Sequence, residues 1–158
     1  MRPSRSLFFL LTAAVLATAC SSSSNPADVT GPTIADLVGS WKATSVVFTN
    51  KANSSETFDL VAAGGEYRIT MLTGGKTRTW VDLGDFHDEW DELVTMNSED
   101  MTLTAKPIEP TRSVAHYSFT LKGNTLTLTN TNSSFDFTLT DTNWVPATSE
   151  FVFTKTAS

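Results

Sequence analysis

The sequence predicts an all-β domain, in which an up-and-down antiparallel meander of about eight to ten strands closes into a barrel. Short runs of alternating apolar and polar residues recur between turn signals at the spacing typical of sandwiches and barrels. No long stretch has the period of a helix. Most links between the runs have hairpin length, and closure removes the exposed edges of such a meander. These features favour a barrel over a Greek-key sandwich.

Length and composition limit the class of protein. The 158 residues are enough for one domain, and a chain that is 40% hydrophobic and 18% charged is not a disordered, solvating protein. The formal net charge of -6 argues against a nucleic-acid partner, because such proteins usually carry a basic patch. One Cys and two His exclude a disulfide framework and zinc sites rich in Cys or His.

Residues 1–19 have the organisation of a targeting segment. Arg2 and Arg5 precede an apolar run at 7–16, which is too short for a transmembrane helix of about 20 residues. Small residues then lead to Cys20. This order resembles a bacterial lipoprotein signal, in which the Cys is acylated and becomes the mature N-terminus. The alternative is an ordinary secretory signal with an incidental Cys.

The lipoprotein resemblance implies that Cys20 is lipidated and holds the protein at a membrane. Ser21 follows it where an Asp would imply inner-membrane retention, so we expect the outer membrane. Removing residues 1–19 takes away two Arg and changes the net charge from -6 to -8, so acyl chains rather than surface charge would hold the protein. Residues 20–33 are Ser-rich and predict a flexible tether with a reach of roughly 20 Å. The folded domain is expected at 34–158.

The first half of this domain begins with a helical turn. It starts at Ile34 and ends at Gly39. The Gly pair at 74–75 predicts a hairpin, because Gly accepts the positive φ of a tight turn. β-branched and aromatic runs predict strands at 41–49, 57–62, 66–72 and 77–83.

The second half continues the alternation. Polar turns at 97–100 and 123–124 separate its first strands. The predicted strands cover 89–96, 101–105, 113–122, 125–129 and 135–140, and a last strand contains Phe151 and Phe153.

Two short motifs resemble a known family. Residues 36–42 contain the Gly-x-Trp start of the lipocalin superfamily, and are most similar to bacterial lipocalin-like domains that follow a lipoprotein signal. Residues 121–128 are similar to the late hairpin of those domains. In lipocalins the Trp closes the base of the barrel against a basic residue of the last strand. The resemblance therefore implies that Gly39, Trp41 and Lys155 close this barrel, and the alternative is a solvated Lys155.

The same resemblance implies a small hydrophobic ligand in the barrel. Eight-stranded barrels are just wide enough to be filled by side chains or to hold one small ligand, and both readings stay open. Tyrosine hydroxyls would orient such a ligand. The candidate pocket residues are Tyr67, Ile69, Met71, Tyr117, Phe119, Phe135 and Phe137.

The residues offer little for catalysis. Six carboxylates and one His within 82–92 suggest a calcium site, but the spacing is not that of an EF-hand. The alternative is a solvated loop and edge strand. His87 and His116 are the only histidine bases, and His116 lies on the polar face of its strand. There is no Gly-x-Ser-x-Gly elbow and no phosphate-binding loop. We expect no enzymatic activity, no metal and no cofactor.

Two functions remain. The first is a monomeric, membrane-anchored carrier of a small hydrophobic molecule in the bacterial cell envelope. The second is a structural or interaction module with a filled barrel, whose loops bind a protein or a glycan. An interior cavity would favour the first function, and a filled interior with exposed aromatics would favour the second. The aromatic residues expected on that surface are Trp80, Phe86, Trp90 and Trp144.

Overall fold

The computed structural model describes residues 31–140 and 142–156, so the predicted targeting segment at 1–19, Cys20 and most of the predicted tether lie outside the described residues. This part of the chain contains no helix that is long and apolar enough to cross a membrane. The elements in chain order are α1 Ile34–Leu37, β1 Gly39–Asn50, β2 Thr57–Asp59, β3 Glu66–Met71, a 3-10 turn Thr73–Gly75, β4 Lys76–Leu83, β5 Phe86–Asn97, β6 Thr102–Pro107, β7 Ala115–Lys122, β8 Thr125–Phe135 and β9 Val145–Lys155.

Eight of these strands form a closed antiparallel barrel. Strands β3 to β9 follow one another in sheet order, and β1 pairs with β3 on one edge and with β9 on the other. The short β2 adds to the later residues of β1, beside β3. The prediction of an all-β meander closed into a barrel is therefore confirmed. Closure leaves no open edge among the eight strands, which is the physical advantage of this architecture.

The barrel has two different ends. At the closed end lie α1, the 3-10 turn, the turn at 98–101 and the turn at 123–124. The mouth lies at the opposite ends of the same strands. The described chain enters at the closed end, where Ser98 Oγ donates a hydrogen bond of 2.7 Å to the carbonyl of Pro32.

Trp41 seals the closed end. Its ring is 1% exposed, and its indole N–H donates to the Leu37 carbonyl at 2.8 Å. Lys155 Nζ lies 5.1 Å from the ring centroid and donates to the Asp36 carbonyl at 3.2 Å. Gly39 has a φ of +130°, and a Cβ there would stand 2.8 Å from Lys155 Cε. A larger residue at Gly39 would therefore be strained and would displace the lysine.

The predicted strand at 57–62 is correct only for its first three residues. Asp59 ends it, because its Oδ1 accepts hydrogen bonds from the backbone N–H of Val61 at 2.9 Å and of Ala62 at 3.2 Å. A short acidic side chain that bonds the backbone two and three residues later favours a turn over a strand.

The predicted strand at 135–140 is wrong, and the reason again is an Asp side chain that bonds the backbone of the following residues. Strand β8 runs from Thr125 to Phe135 through an irregularity between Asn130 and Ser133, so it covers the gap left between two predicted strands. A loop then begins at Asp136, whose carboxylate accepts the backbone hydrogen bonds that a neighbouring strand would have supplied. Alternation of Phe and polar residues was a misleading signal here.

Candidate functional site

The barrel interior contains a cavity of only about 40 Å³. Four of the seven predicted pocket residues line it: Tyr67, Ile69, Met71 and Tyr117. A cavity of this volume has room for a few water molecules, whereas small-molecule sites measure about 300–1,000 Å³. The interior is therefore close to filled. The other lining residues are Thr77, Thr79, Glu92, Val94, Leu103, Ala105, Leu126, Leu128, Phe151 and Phe153.

Aromatic rings fill the space next to this cavity. The Tyr67 ring lies 5.3 Å from Phe151, 5.8 Å from Phe153 and 6.3 Å from Trp90, each in an edge-to-face arrangement. Such edge-to-face contacts stabilise the fold by more than the burial of apolar surface alone would. Phe119, another predicted pocket residue, is 3% exposed and belongs to the packed core without lining the cavity.

One carboxyl group faces the cavity. Glu92 is opposite Thr77 in the β4–β5 register, and Thr77 is buried, so both side chains point inward. The Thr79 hydroxyl donates to Glu92 Oε2 at 3.3 Å. Burial raises the pKa of Glu92, although hydrogen bonds from Trp90 and Thr79 oppose the effect. The sequence placed Glu92 in a solvated acidic stretch, and strand pairing shows that it is part of the interior.

Three other carboxylates of the 82–92 stretch, Asp88, Glu89 and Asp91, form ion pairs with Arg112, Arg78 or Lys76. Asp88 accepts from Arg112 at 2.6 Å and 2.7 Å, and Asp91 pairs with Arg78 at 2.9 Å. Because successive side chains alternate between the two faces of β5, the carboxylates do not converge. Among the described residues no group of three or more His, Cys, Asp and Glu is placed to hold a metal ion. Strands β4 and β5 are also paired on both sides, so the expected edge strand is wrong.

A much larger concavity lies at the mouth, with a volume of about 460 Å³. We call it the mouth groove. Three segments supply its walls: the turn after β2, the β4–β5 hairpin, and the loop between β8 and β9. Three of its side chains are more than half exposed: Phe86 at 57%, Leu139 at 56% and Trp144 at 58%. The lining residues are Leu60, Leu83, Asp85, Phe86, Phe135, Asp136, Leu139 and Trp144.

Asp136 holds the wall formed by the β8–β9 loop. Its Oδ1 accepts from the Thr138 N–H at 2.9 Å, and its Oδ2 accepts from the N–H of Thr140 at 3.1 Å and of Thr142 at 3.0 Å. The side chain is 4% exposed. Hydrogen bonds from the Thr138 hydroxyl and from these backbone groups hold the pKa of Asp136 well below its usual range. The carboxylate is therefore charged and its acceptor positions are used within the loop.

The same loop holds Leu139 in an unusual conformation. Leu139 has a φ of +55°, in the left-handed region that a Leu rarely adopts. Its N–H donates to the Asp136 carbonyl at 3.1 Å. The strained backbone places an exposed apolar side chain at the edge of the mouth groove.

An aromatic stack forms the floor of the mouth groove. The Phe135 ring lies 4.1 Å from Phe48 and 5.1 Å from Phe58, both stacked, and 5.0 Å from Phe137 at an interplanar angle of 78°. Phe135 was predicted to line an interior pocket and lines the mouth groove instead. Phe137 supports Phe135 from the side and lines neither space.

The four aromatic residues expected on one surface are separated. Trp80 lies on the outer face of β4, with Arg68 5.0 Å and His87 5.5 Å from its ring. Trp90 lies opposite the buried Thr79 and is only partly exposed, with Arg112 4.4 Å above its ring. Of the four, only Phe86 and Trp144 line the mouth groove.

Sequence reasoning missed five residues of the mouth groove. The spacing of Asp136, Thr138 and Thr140 is a signal for a side-chain-bonded loop that could have been used. The contact between this loop and the β4–β5 hairpin has no local signal, because the two segments are about 50 residues apart. The missed residues are Leu60, Leu83, Asp85, Asp136 and Leu139.

Comparison of the chain with family models, with curated proteins and with solved structures found no match. The eight-stranded antiparallel barrel is consistent with a lipocalin-like fold. The resemblance to lipocalins rests on that barrel and on the short motif that contains Gly39 and Trp41, and no match to a known protein supports it.

Proposed function

We propose that this chain is a lipid-anchored protein of the bacterial cell envelope, most simply of the outer membrane, that binds a small hydrophobic molecule in the mouth groove. The observation that carries the proposal is the contrast between the two spaces. The interior cavity measures about 40 Å³ and the mouth groove about 460 Å³. Only the second lies within the range of small-molecule sites.

The chemistry of the mouth groove supports an apolar ligand. Six of its eight lining residues are apolar, and exposed Phe86, Leu139 and Trp144 project around it. Large apolar side chains clustered in a concave exposed site favour a ligand that removes them from water. The Asp136 bonds fix one wall before any ligand arrives, which reduces the entropy lost on binding.

The position of the mouth groove supports a tethered arrangement. The described chain enters at the closed end, beside Ser98, and strand β9 with its 11 residues separates the two ends by about 35 Å along the strand. A lipid on Cys20 would therefore hold the closed end toward the membrane. The mouth groove would then open away from it, toward molecules in the surrounding solution.

Native mass spectrometry tests the ligand. The protein, carrying Cys20→Ser so that no acyl chain is attached, is incubated with envelope lipid extract. We expect a discrete added mass that Phe86→Ala removes. Leu72→Ala is the matched control, because Leu72 is 52% exposed and lies at the closed end. If Phe86→Ala keeps the added mass and Tyr117→Phe loses it, the ligand binds in the barrel interior and the proposed site is wrong. No bound mass at any concentration would overturn the function.

Membrane fractionation tests the anchor separately. The wild-type chain is expected in the membrane fraction and its Cys20→Ser variant in the soluble fraction. Equal partition of the two proteins would mean that Cys20 is not lipidated.

A protein or glycan partner is the second candidate. The near-filled interior favours it, because that is the property expected of an interaction module. Such a partner would also contact residues outside the mouth groove. Trp80 lies on the outer face of β4 and serves as the probe. Trp80→Ala should weaken the binding of a protein or glycan partner and leave the binding of a small ligand in the mouth groove unchanged.

A further inference from the structure

We propose that the ligand of the mouth groove is a cationic amphiphile, an apolar chain that ends in an alkylammonium group held by Asp85 and the rings of Phe86 and Trp144. This proposal rests on the ligand-binding function proposed above and names the class of ligand.

The two carboxylates of the mouth groove differ in their bonding. Asp136 accepts hydrogen bonds from Thr138, Thr140 and Thr142 and has no acceptor position left for a ligand. Asp85 has no ion pair or side-chain hydrogen bond among the described residues. It stands in the two-residue turn between β4 and β5, where Gly84 takes the positive φ of +63°. This exposed turn therefore presents a charge that no described residue neutralises.

Charge complementarity decides between the kinds of amphiphile. None of the described residues that line the mouth groove is basic. The whole chain has a net charge of -6, so the long-range field also opposes an anion. A fatty acid or a phosphate ester would bring its anionic group to the carboxylate of Asp85 and be repelled, whereas an ammonium group would be attracted.

Aromatic rings give a second reason for a cation. Phe86 follows Asp85 directly in the chain and is 57% exposed, and Trp144 is 58% exposed on the opposite wall. The negative face of an aromatic ring attracts ammonium groups, and Trp is the strongest partner of this kind. A carboxylate beside exposed rings, with no basic neighbour in the lining, is the chemistry that recognises a quaternary ammonium ion.

Three probes with the same chain length test this proposal: decyltrimethylammonium, decanol and decanoate, each titrated below its micelle concentration and followed by calorimetry. The full chain carries Cys20→Ser, so that no acyl chain competes. We expect decyltrimethylammonium to bind roughly three- to tenfold more tightly than decanoate, with decanol between them. Raising the salt concentration should reduce the difference, because an exposed charge pair is screened.

Asp85→Asn and Phe86→Leu identify the groups responsible. Asp85→Asn should reduce the preference for the cation to about twofold while decanol binding stays unchanged. Phe86→Leu keeps an apolar wall but removes the ring, and should lower cation binding more than decanol binding. Glu99→Gln is the matched control, because it removes one negative charge from an exposed position in the closed-end turn. It should leave all three affinities unchanged.

The outcomes separate the two proposals. Equal binding of all three probes, or a preference for decanoate, would overturn the cationic class and leave ligand binding in the mouth groove intact. A preference for the cation that Asp85→Asn and Glu99→Gln reduce equally would also overturn it, since net charge alone would then be responsible. Failure of all three probes to bind would overturn the proposed function itself.

Discussion

Lys155 and Trp41 face each other in register across β9 and β1, and the Lys155 ammonium group lies 5.1 Å from the indole centroid. This pair joins the first and last barrel strands at the closed end. Because β1 and β9 must meet for the sheet to close, a contact between them stabilises closure rather than one hairpin. The Lys155 ammonium group also donates to the carbonyl of Asp36 in α1.

Lys155→Ala is expected to lower the free energy of unfolding by about 1–2 kcal/mol, because it removes a cation–π contact and a hydrogen bond at a buried ring. Lys155→Met keeps most of the apolar stem and should recover part of the loss. Urea denaturation gives the measurement. Lys122→Ala, at an exposed position, should stay within about 0.5 kcal/mol. A Lys155→Ala effect no larger than that of Lys122→Ala would show that the contact contributes nothing.

Asp136→Asn is expected to lower stability at neutral pH, because an amide nitrogen cannot accept the hydrogen bonds that Thr140 and Thr142 donate. The folded pKa of Asp136 lies below its ordinary value of 3.8. Its contribution is therefore fully present above pH 3.8 and is lost as pH falls through the folded pKa. Wild type and variant should differ in urea denaturation at pH 7 and converge in strong acid.

Amide hydrogen exchange provides the local readout for the same variant. Thr142 and Asn143 N–H should exchange faster in Asp136→Asn, and ligand affinity in the mouth groove should fall. Glu99→Gln serves as the control for both readouts, since Glu99 lies in the exposed closed-end turn, away from this loop. Unchanged protection of these amides would contradict the assigned role of Asp136.

Leu139→Gly is expected to weaken ligand binding while leaving stability unchanged or slightly raised. A Leu in the left-handed region is destabilised by about 1 kcal/mol, and Gly removes that strain but loses about 0.5–1 kcal/mol more chain entropy on folding. Leu139→Ala should weaken binding without relieving the strain. Leu72→Gly is the matched control: Leu72 is 52% exposed, is extended with a φ of -97°, and its change to Gly should be destabilising.

A loss of stability in Leu139→Gly as large as that in Leu72→Gly would mean that the positive φ of Leu139 carries no strain. Full ligand affinity in both Leu139 variants would remove this residue from the binding site. Thermal unfolding and calorimetry measure the two effects independently.

Glu92→Gln is expected to raise stability at neutral pH. Burial raises the pKa of Glu92 above its ordinary value of 4.5, so the folded state binds the proton more tightly than the unfolded state. The charged carboxylate therefore destabilises the barrel increasingly as pH rises from 4.5 through the folded pKa. A Gln keeps an acceptor for the Thr79 hydroxyl and removes the charge. Urea denaturation at pH 7 and pH 4 should show a gain that shrinks at the lower pH. A gain of equal size at both pH values, or none at pH 7, would exclude this electrostatic origin.

Local patterns predicted much of the barrel. The alternation in Tyr67, Ile69 and Met71 correctly places these side chains inside, because the side-chain period of a strand is independent of its partners. The Gly pair at 74–75 correctly marks a turn, with φ values of +82° and +83°. The same reasoning failed at 135–140, where the Asp136 side chain competes with strand pairing for the backbone.

The candidate site was less predictable than the fold. Alternation could show that Tyr67 and Tyr117 point inward, but not that neighbouring rings leave only about 40 Å³ beside them. The volume left in a barrel depends on how side chains from several strands interdigitate, which is a property of three-dimensional packing. Likewise, no local feature near Phe86 indicates that Trp144 lies on the opposite wall of one groove.

The sequence by itself determined the strand alternation and most of the turns, because each depends on local backbone chemistry or on the parity of a strand. Tertiary structure alone decided which space is open. The interior is filled by rings from β3, β7 and β9, while the mouth groove exists because the loop organised by Asp136 stands apart from the β4–β5 hairpin. The volume of a cavity and the meeting of side chains around it are fixed only when distant segments pack together. The residue pattern within one segment therefore cannot predict them.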